Sequence, residues 1–361
     1  MPASPVLEAV QARDLAALRA ALAKKSSDTS GRAMIAAAGR AWQAGLAALV
    51  KAGGDLNAVY RNYRALHALI QEDPHKAGTP TPERVGCLAW MLSHGADPEL
   101  PGAWPAARAL VIAAFQGEWA YVDEIREAGA TINIFTAAAL GDDRKVSALL
   151  ANDPTLATAV DVGGALTALH CAAGSQLGRT REKTATGLLA CARRLLDAGA
   201  DPNALATSWG HQVSVAYFAI RAEQPALLGL LLDRGADALE AFPTAVWNGQ
   251  WDIADQLIRE RGVRIDAARG GDRPLLNNLV RWGQFQLARE LLARGASPNV
   301  ADANGWTAMH QAASRGNAAM WQALVDAGGD ETRRDRKGYT PRQVGKVRDV
   351  VRAVGKAGRG V

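Results

Sequence analysis

An all-α array of about ten stacked helix–turn–helix units, joined by short β-hairpin or turn fingers, is the fold class this sequence predicts. Two observations carry it. A phrase ending in Gly-Ala-Asp or a close variant returns seven times, and apolar residues recur at helical spacing on both sides of it. The composition agrees: only 6% of the 361 residues are aromatic, as closely packed short helices require.

The recurring phrase reads LVKAGGDLNA up to Ala58, MLSHGADPEL at Met91–Leu100 and LLDAGADPNA at Leu195–Ala204. It returns as LLDRGADAL at Leu231–Leu239, LLARGASPNV at Leu291–Val300 and LVDAGGDE at Leu324–Glu331, with a degenerate IREAGATIN at Ile125–Asn133. A second phrase precedes it: TALHCAAG at Thr167–Gly174, TAMHQAASRG at Thr307–Gly316 and RALHALI at Arg64–Ile70. Looser forms are FTAAALGD from Phe135, SVAYFAI from Ser214 and TAVWNGQWD from Thr244. Each unit is therefore helix, turn, helix and glycine exit. Thr167 and Thr307 sit where N-caps belong. Gly199, Gly235 and Gly295 sit where a helix closes on a left-handed residue.

These residues resemble the ankyrin repeat family, and the resemblance covers nearly the whole chain. Ser297 and Asp330 stand 33 residues apart, the period of that family. The parse is one ankyrin-repeat domain over 1–361, with repeats near 5–24, 31–57, 60–97, 104–131, 134–160, 165–201, 210–237, 240–266, 272–297 and 304–330. A basic C-terminal cap, with a helix after Pro341, covers 331–361. No repeat carries an intact T-P-L-H, the fifth ends in ANDPTLAT and the eighth in RERGVRID. One repeat cannot bury its own apolar face, so neighbours must stack into a continuous core.

Charge is uneven. Ten of the 41 Lys/Arg and two of the 36 Asp/Glu lie in Thr332–Val361, which leaves that segment at +8 and the rest at −3. Nucleic-acid contact is thereby reduced to a weaker reading that rests on the tail alone. The longest apolar runs fall far short of the roughly 20 residues of a membrane span. The N-terminus lacks the basic start and apolar stretch of a secretory signal. A cytoplasmic protein with no membrane contact is expected. Cys87, Cys171 and Cys191 form no disulfide or metal pattern, and the latter two sit in apolar helical stretches.

Little asks for catalysis, a cofactor or a metal. His67, His170 and His310 occupy one slot, which the family resemblance implies is structural. His75, His94 and His211 fall in connecting segments without a second ligand at zinc spacing. Asp142-Asp143 opens a helix and stabilises its N-terminus. His170 and Cys171 are consecutive on a helix and so point about 100° apart, too far to form a dyad.

Ten tryptophans make up half of the aromatic residues. Trp119, Trp251 and Phe285 open second helices and are expected in the core. Trp42, Trp90, Trp247, Trp282 and Trp321 also read as packing. Tyr60, Tyr63, Trp104, Trp209 and Trp306 fall in fingers, with Tyr339 sharing the slot of Tyr63 and Trp306. These either cover the neighbouring finger or anchor a partner. The second reading is favoured at Trp209, whose finger runs 13 residues from Asp201 to Ser214, against 10 from Ser297 to Thr307. Insertions at 72–83 and 174–186 are expected to form loops between paired helices, either functional or merely tolerated.

The function this implies is a non-catalytic scaffold that binds another protein through a concave surface of fingers and inner helices. The candidate contacts are Tyr60, Tyr63, Trp104, Trp209, His211 and Trp306. The alternative is an enzyme or small-ligand protein that uses the groove as a pocket.

Overall fold

The computed structural model describes residues 4–24, 31–71, 80–102, 105–163, 166–208, 211–268 and 273–345. Its described part is ten helix pairs. The first five are α1 (Pro5–Ala12) with α2 (Leu15–Leu22), α3 (Gly31–Gly39) with α4 (Gln43–Lys51), α5 (Ala65–Gln71) with α6 (Pro82–Ser93), α7 (Ala109–Gln116) with α8 (Trp119–Glu127), and α9 (Ile134–Leu140) with α10 (Asp143–Asn152). The next five are α11 (Ala168–Gly174) with α12 (Glu182–Asp197), α13 (Val215–Arg221) with α14 (Pro225–Asp233), α15 (Ala238–Trp247) with α16 (Trp251–Arg261), α17 (Leu275–Trp282) with α18 (Phe285–Ala293), and α19 (Ala308–Arg315) with α20 (Ala318–Asp326). Helix resumes at 341–345, where the expected cap begins; the rest of the basic tail lies outside the described residues.

The chain forms two compact units, Met1–Ala236 and Asp237–Val361. The first holds seven helix pairs and the second three.

First helices are the core. Every residue of α11, and Ala109–Phe115 of α7, is buried. In the first unit α7 packs on α5, α9 and its own partner α8. A helix flanked on three sides must be apolar nearly all round and narrow, hence the alanines. Second helices are covered on one stripe only: α8 buries Tyr121, Val122 and Ile125 and leaves its charged residues outside.

The Gly-Ala-Asp-x-Asn phrase explains how one repeat holds the next. Asp55 and Asp201 turn their Oδ1 back to the N–H two residues on, at 2.8 Å in both cases. The following Asn then reaches across. Asn57 Nδ2 donates to the Gly95 carbonyl and its Oδ1 accepts from Asp97 N–H, both at 2.8 Å. Asn299 repeats this with Gly328 (2.8 Å) and Asp330 (2.7 Å), and Asn203 Nδ2 reaches the Gly235 carbonyl. The Pro-Asn of the phrase is thus a finger-to-finger tie.

Two fingers that the repeat pattern leads one to expect do not form. After Gly129 the chain enters α9 at once, because Asn133 caps it and Thr136 completes a capping box. After Gly235, Asp237 caps α15 directly, accepting from Leu239 and Glu240 N–H. In both, the polar residue that would start a finger starts a helix.

The insertion at 174–186 also departs from expectation: it is not a free loop. Leu177–Arg179 form a 3-10 turn with Leu177 buried, and the remainder extends α12 to 16 residues. Gln176 reaches back to the fourth pair: its N–H donates to the Ala114 carbonyl (2.9 Å) and its Nε2 to that of Phe115 (2.6 Å). The extended helix crosses the α9–α10 turn where two glycines meet. A Cβ on Gly187 would lie 2.2 Å from the Gly141 carbonyl oxygen. Of the other insertion, 72–79 lie outside the described residues. Pro82 and Glu83 open α6, capped by Thr81.

Candidate functional site

His67, His170 and His310 share one slot of the repeat, and all three are buried. Thr167 N–H donates to His170 Nδ1 (3.2 Å), and Thr307 N–H to His310 Nδ1 (3.1 Å). An accepting Nδ1 leaves the proton on Nε2. His310 Nε2 donates onward to the Tyr339 carbonyl of the next finger (3.2 Å), and His67 Nε2 to that of Ala107 (2.9 Å). His310 thus binds a finger to a helix start, while His67 Nδ1 and His170 Nε2 are buried without a hydrogen-bond partner among the described residues. Burial pushes His67 and His170 down to about 4, so both are neutral at physiological pH. They are structural ties, with no spare nitrogen aimed at solvent.

Burial likewise raises the thiols, Cys87 to about 11 and Cys191 to about 12, which makes them inert. Among the described residues no group of three His, Cys, Asp or Glu is placed to hold a metal ion. No helix among them is long and apolar enough to cross a membrane.

The candidate finger aromatics are not gathered into one site. Tyr60 and Tyr63 share one finger, paired with each other by two backbone hydrogen bonds of 3.0 Å. Arg61 and Asn62 turn the corner between them at positive φ (50° and 66°). Both tyrosines are half-buried. Trp306 belongs to the second unit and is also half-buried: its ring stacks on His310, and Nε1 donates to Asp335 Oδ2 at 3.0 Å. It therefore covers the neighbouring finger. Trp104 and Trp209 lie outside the described residues. His211 opens strand β2 (His211–Ser214), its backbone opposite Ser208 of β1 (Leu205–Ser208), so the longest finger is a two-stranded antiparallel hairpin.

The tryptophans expected in the core divide differently. Trp247 and Trp282 are exposed, by 38% and 62%, so the packing reading is corrected for both. Both stand at the last residue of a first helix. Trp119 and Trp251 are half-buried at the start of second helices and are closed over by arginines instead of apolar residues. The guanidinium carbon of Arg181 lies 3.8 Å from the Trp119 ring centre, and that of Arg294 lies 4.2 Å from the Trp251 ring centre.

The more telling surface residues are aliphatic, which a search for aromatics passes over. Val59, Val160, Val162 and Leu205 are all more than half exposed, and all four lie in fingers, as does exposed Tyr339. Together with Trp247 and Trp282 they complete the exposed large apolar side chains among the described residues.

In the second unit a finger and the ends of two first helices enclose a groove of ≈ 410 Å³. Arg273, Asp302, Asn304 and Trp306 come from the finger side, and Arg281, Gln311 and Arg315 from α17 and α19. Asp302 is nearly buried and held at 2.8 Å by Arg273 Nε.

A family model described as ankyrin repeats (many copies) matches residues 276–325, and one described as ankyrin repeat matches 166–207. The chain carries ankyrin repeats. Among curated relatives of this ankyrin chain, the B-cell lymphoma 3 protein homolog of Mus musculus is 32% identical over 46% of this chain and 39% of its own length. A putative ankyrin repeat-containing protein of Treponema pallidum is 33% identical over 30% of this chain and 37% of its own. RelA-associated inhibitor of Mus musculus is 30% identical over 23% of this chain and 10% of its own. The chain thus spans at most about two fifths of the length of these relatives. The ankyrin repeat domain of Bcl-3 superposes with a TM-score of 0.45 at 27% identity, covering 62% of this chain and 99% of that one.

Proposed function

We propose that this ankyrin-repeat chain is a non-catalytic scaffold that binds a partner protein through its fingers and the adjoining ends of its first helices. One observation carries the reading. Every large apolar side chain left exposed among the described residues lies in a finger or at the end of a first helix. Exposed apolar side chains kept to such positions are what a partner protein can bury. The name of RelA-associated inhibitor, which describes association with another protein, points the same way. The histidines that might have served a catalytic pocket are buried, and two of them bond a finger carbonyl instead.

The test is affinity capture from the native cell with the wild-type chain and with Val160→Asp/Val162→Asp/Leu205→Asp as bait. The reading expects a protein retained by the wild type and lost from the triple variant. Equal retention by both, with the variant folded, would overturn it.

A further inference from the structure

We infer that the groove of the second unit takes a carboxylate-rich, extended segment of the partner protein, seated on Arg281 and Arg315. The inference rests on the scaffold reading and adds the chemistry of the partner.

Arg281 and Arg315 are both exposed, on neighbouring first helices, and meet at one end of the groove: Arg315 Nε donates to the Arg281 carbonyl at 2.5 Å. Among the described residues neither guanidinium meets a carboxylate. The two acidic groups near the groove are already engaged. Asp302 is held by Arg273, and Asp335 accepts from Trp306 Nε1, Lys337 N–H and Tyr339 N–H. Beyond them the finger carries Arg333, Arg334, Arg336 and Lys337, all exposed, and Arg336 N–H ties it to the Asn304 carbonyl at the groove's rim (3.0 Å).

Two adjacent cationic forks without an acid between them call for bidentate anionic partners. Trp282, 62% exposed beside Arg281, offers an apolar contact at the same end. A peptide fits this arrangement better than a nucleic acid. A phosphodiester chain carries a charge at every nucleotide and would set one against Asp302, which lines the groove. A peptide can place carboxylates on Arg281 and Arg315 and a neutral residue opposite Asp302. One face of the Trp306 ring is already taken by His310.

The experiment titrates the full chain, by fluorescence anisotropy, with a labelled twelve-residue Glu/Leu peptide, its Gln/Leu analogue and a twelve-nucleotide single-stranded DNA. The acidic peptide should bind and the Gln analogue should not. Arg281→Glu/Arg315→Glu should weaken binding by about tenfold or more, while Arg19→Glu/Arg193→Glu, with the same change of net charge elsewhere, should leave it within about twofold. Arg281→Gln/Arg315→Gln, which puts no carboxylate at a helix C-terminus, should lose binding as well. An equal loss in both Glu variants would show a net-charge effect and overturn the inference, as would absence of peptide binding or tighter binding of the DNA. A captured partner retained by Arg281→Gln/Arg315→Gln would refute the groove assignment and leave the scaffold reading standing. Absence of any captured protein refutes the scaffold reading itself.

Discussion

The indole N–H of Trp306 donates to Asp335 Oδ2, 3.0 Å away on the following finger. Asp335 is buried, so this bond holds a desolvated carboxylate in place and not merely a ring on a surface. Trp306→Phe keeps the ring and deletes the donor. It should cost about 1–2 kcal/mol in denaturant unfolding, with the remaining two backbone donors limiting the loss. No change in stability would mean the tie contributes nothing.

Asn299 is the cleanest of the finger-to-finger asparagines, with its Nδ2 on Gly328 and its Oδ1 on Asp330. Asn299→Ala removes both bonds and should destabilise by about 1–2 kcal/mol. Asn299→Asp keeps the acceptor but sets a carboxylate oxygen against the Gly328 carbonyl, and should be at least as destabilising. The ordering of the three proteins by midpoint of unfolding is the check.

How much of this was legible in the sequence depends on whether a residue's role was repeated. The Thr-x-x-His phrase recurs at Thr167 and Thr307, and their capping roles follow from that recurrence, whereas the neutrality of the histidines comes from burial. Asn133 and Asp237 stand where other repeats begin a finger, and each caps the next helix with its own side chain, as the repeat limits 134–160 and 240–266 allow. The insertion at 174–186 looked like a loop by its turn-forming residues, yet Glu182–Thr186 simply lengthen α12 at its N-terminus. Trp247 and Trp282 lie on helices with apolar spacing, and spacing cannot tell whether a neighbour covers the last turn. The groove on Arg281 and Arg315 had no signal, since neither position repeats.

Arg84 was equally invisible. It is 5% exposed, donates from Nη1 to the Gly39 carbonyl at 3.0 Å and from Nη2 to that of Leu69, and meets Tyr121 Oη at 3.3 Å. A buried cation at the C-terminal turns of α3 and α5 suits both helix dipoles. Arg84→Leu strands two carbonyls and should cost about 3 kcal/mol, measured by thermal or denaturant unfolding. Arg84→Lys cannot span the same acceptors and should recover only part of it.

Acid should loosen the stack. His67 and His170 titrate near 4 when folded, through burial, against an ordinary value near 6.5 when unfolded. The unfolded chain therefore binds more protons in that interval, and stability falls as pH drops from about 6.5 toward 4. Each histidine should contribute on the order of 3 kcal/mol to this loss. The unfolding free energy should be flat above neutrality and decline below about pH 6.5. His170→Gln should show a shallower decline.

The fifth repeat closes on the 3-10 turn Pro154–Ala157 instead of a left-handed glycine, whereas the eighth still closes on Gly262 at φ 68°. Amides of 151–161 should exchange faster than those of Leu195–Asp201, where the exit is regular. Equal protection of the two exits would show that the irregular close is no weak joint.

The most direct test of the scaffold account is hydrogen exchange on the full chain, alone and with its captured partner. New protection should appear at the fingers 53–63, 155–163 and 199–208, and at the first-helix ends Trp247 and Arg281–Trp282. Protection confined to the outer faces of second helices such as α8 and α16 would place the partner elsewhere and contradict the account.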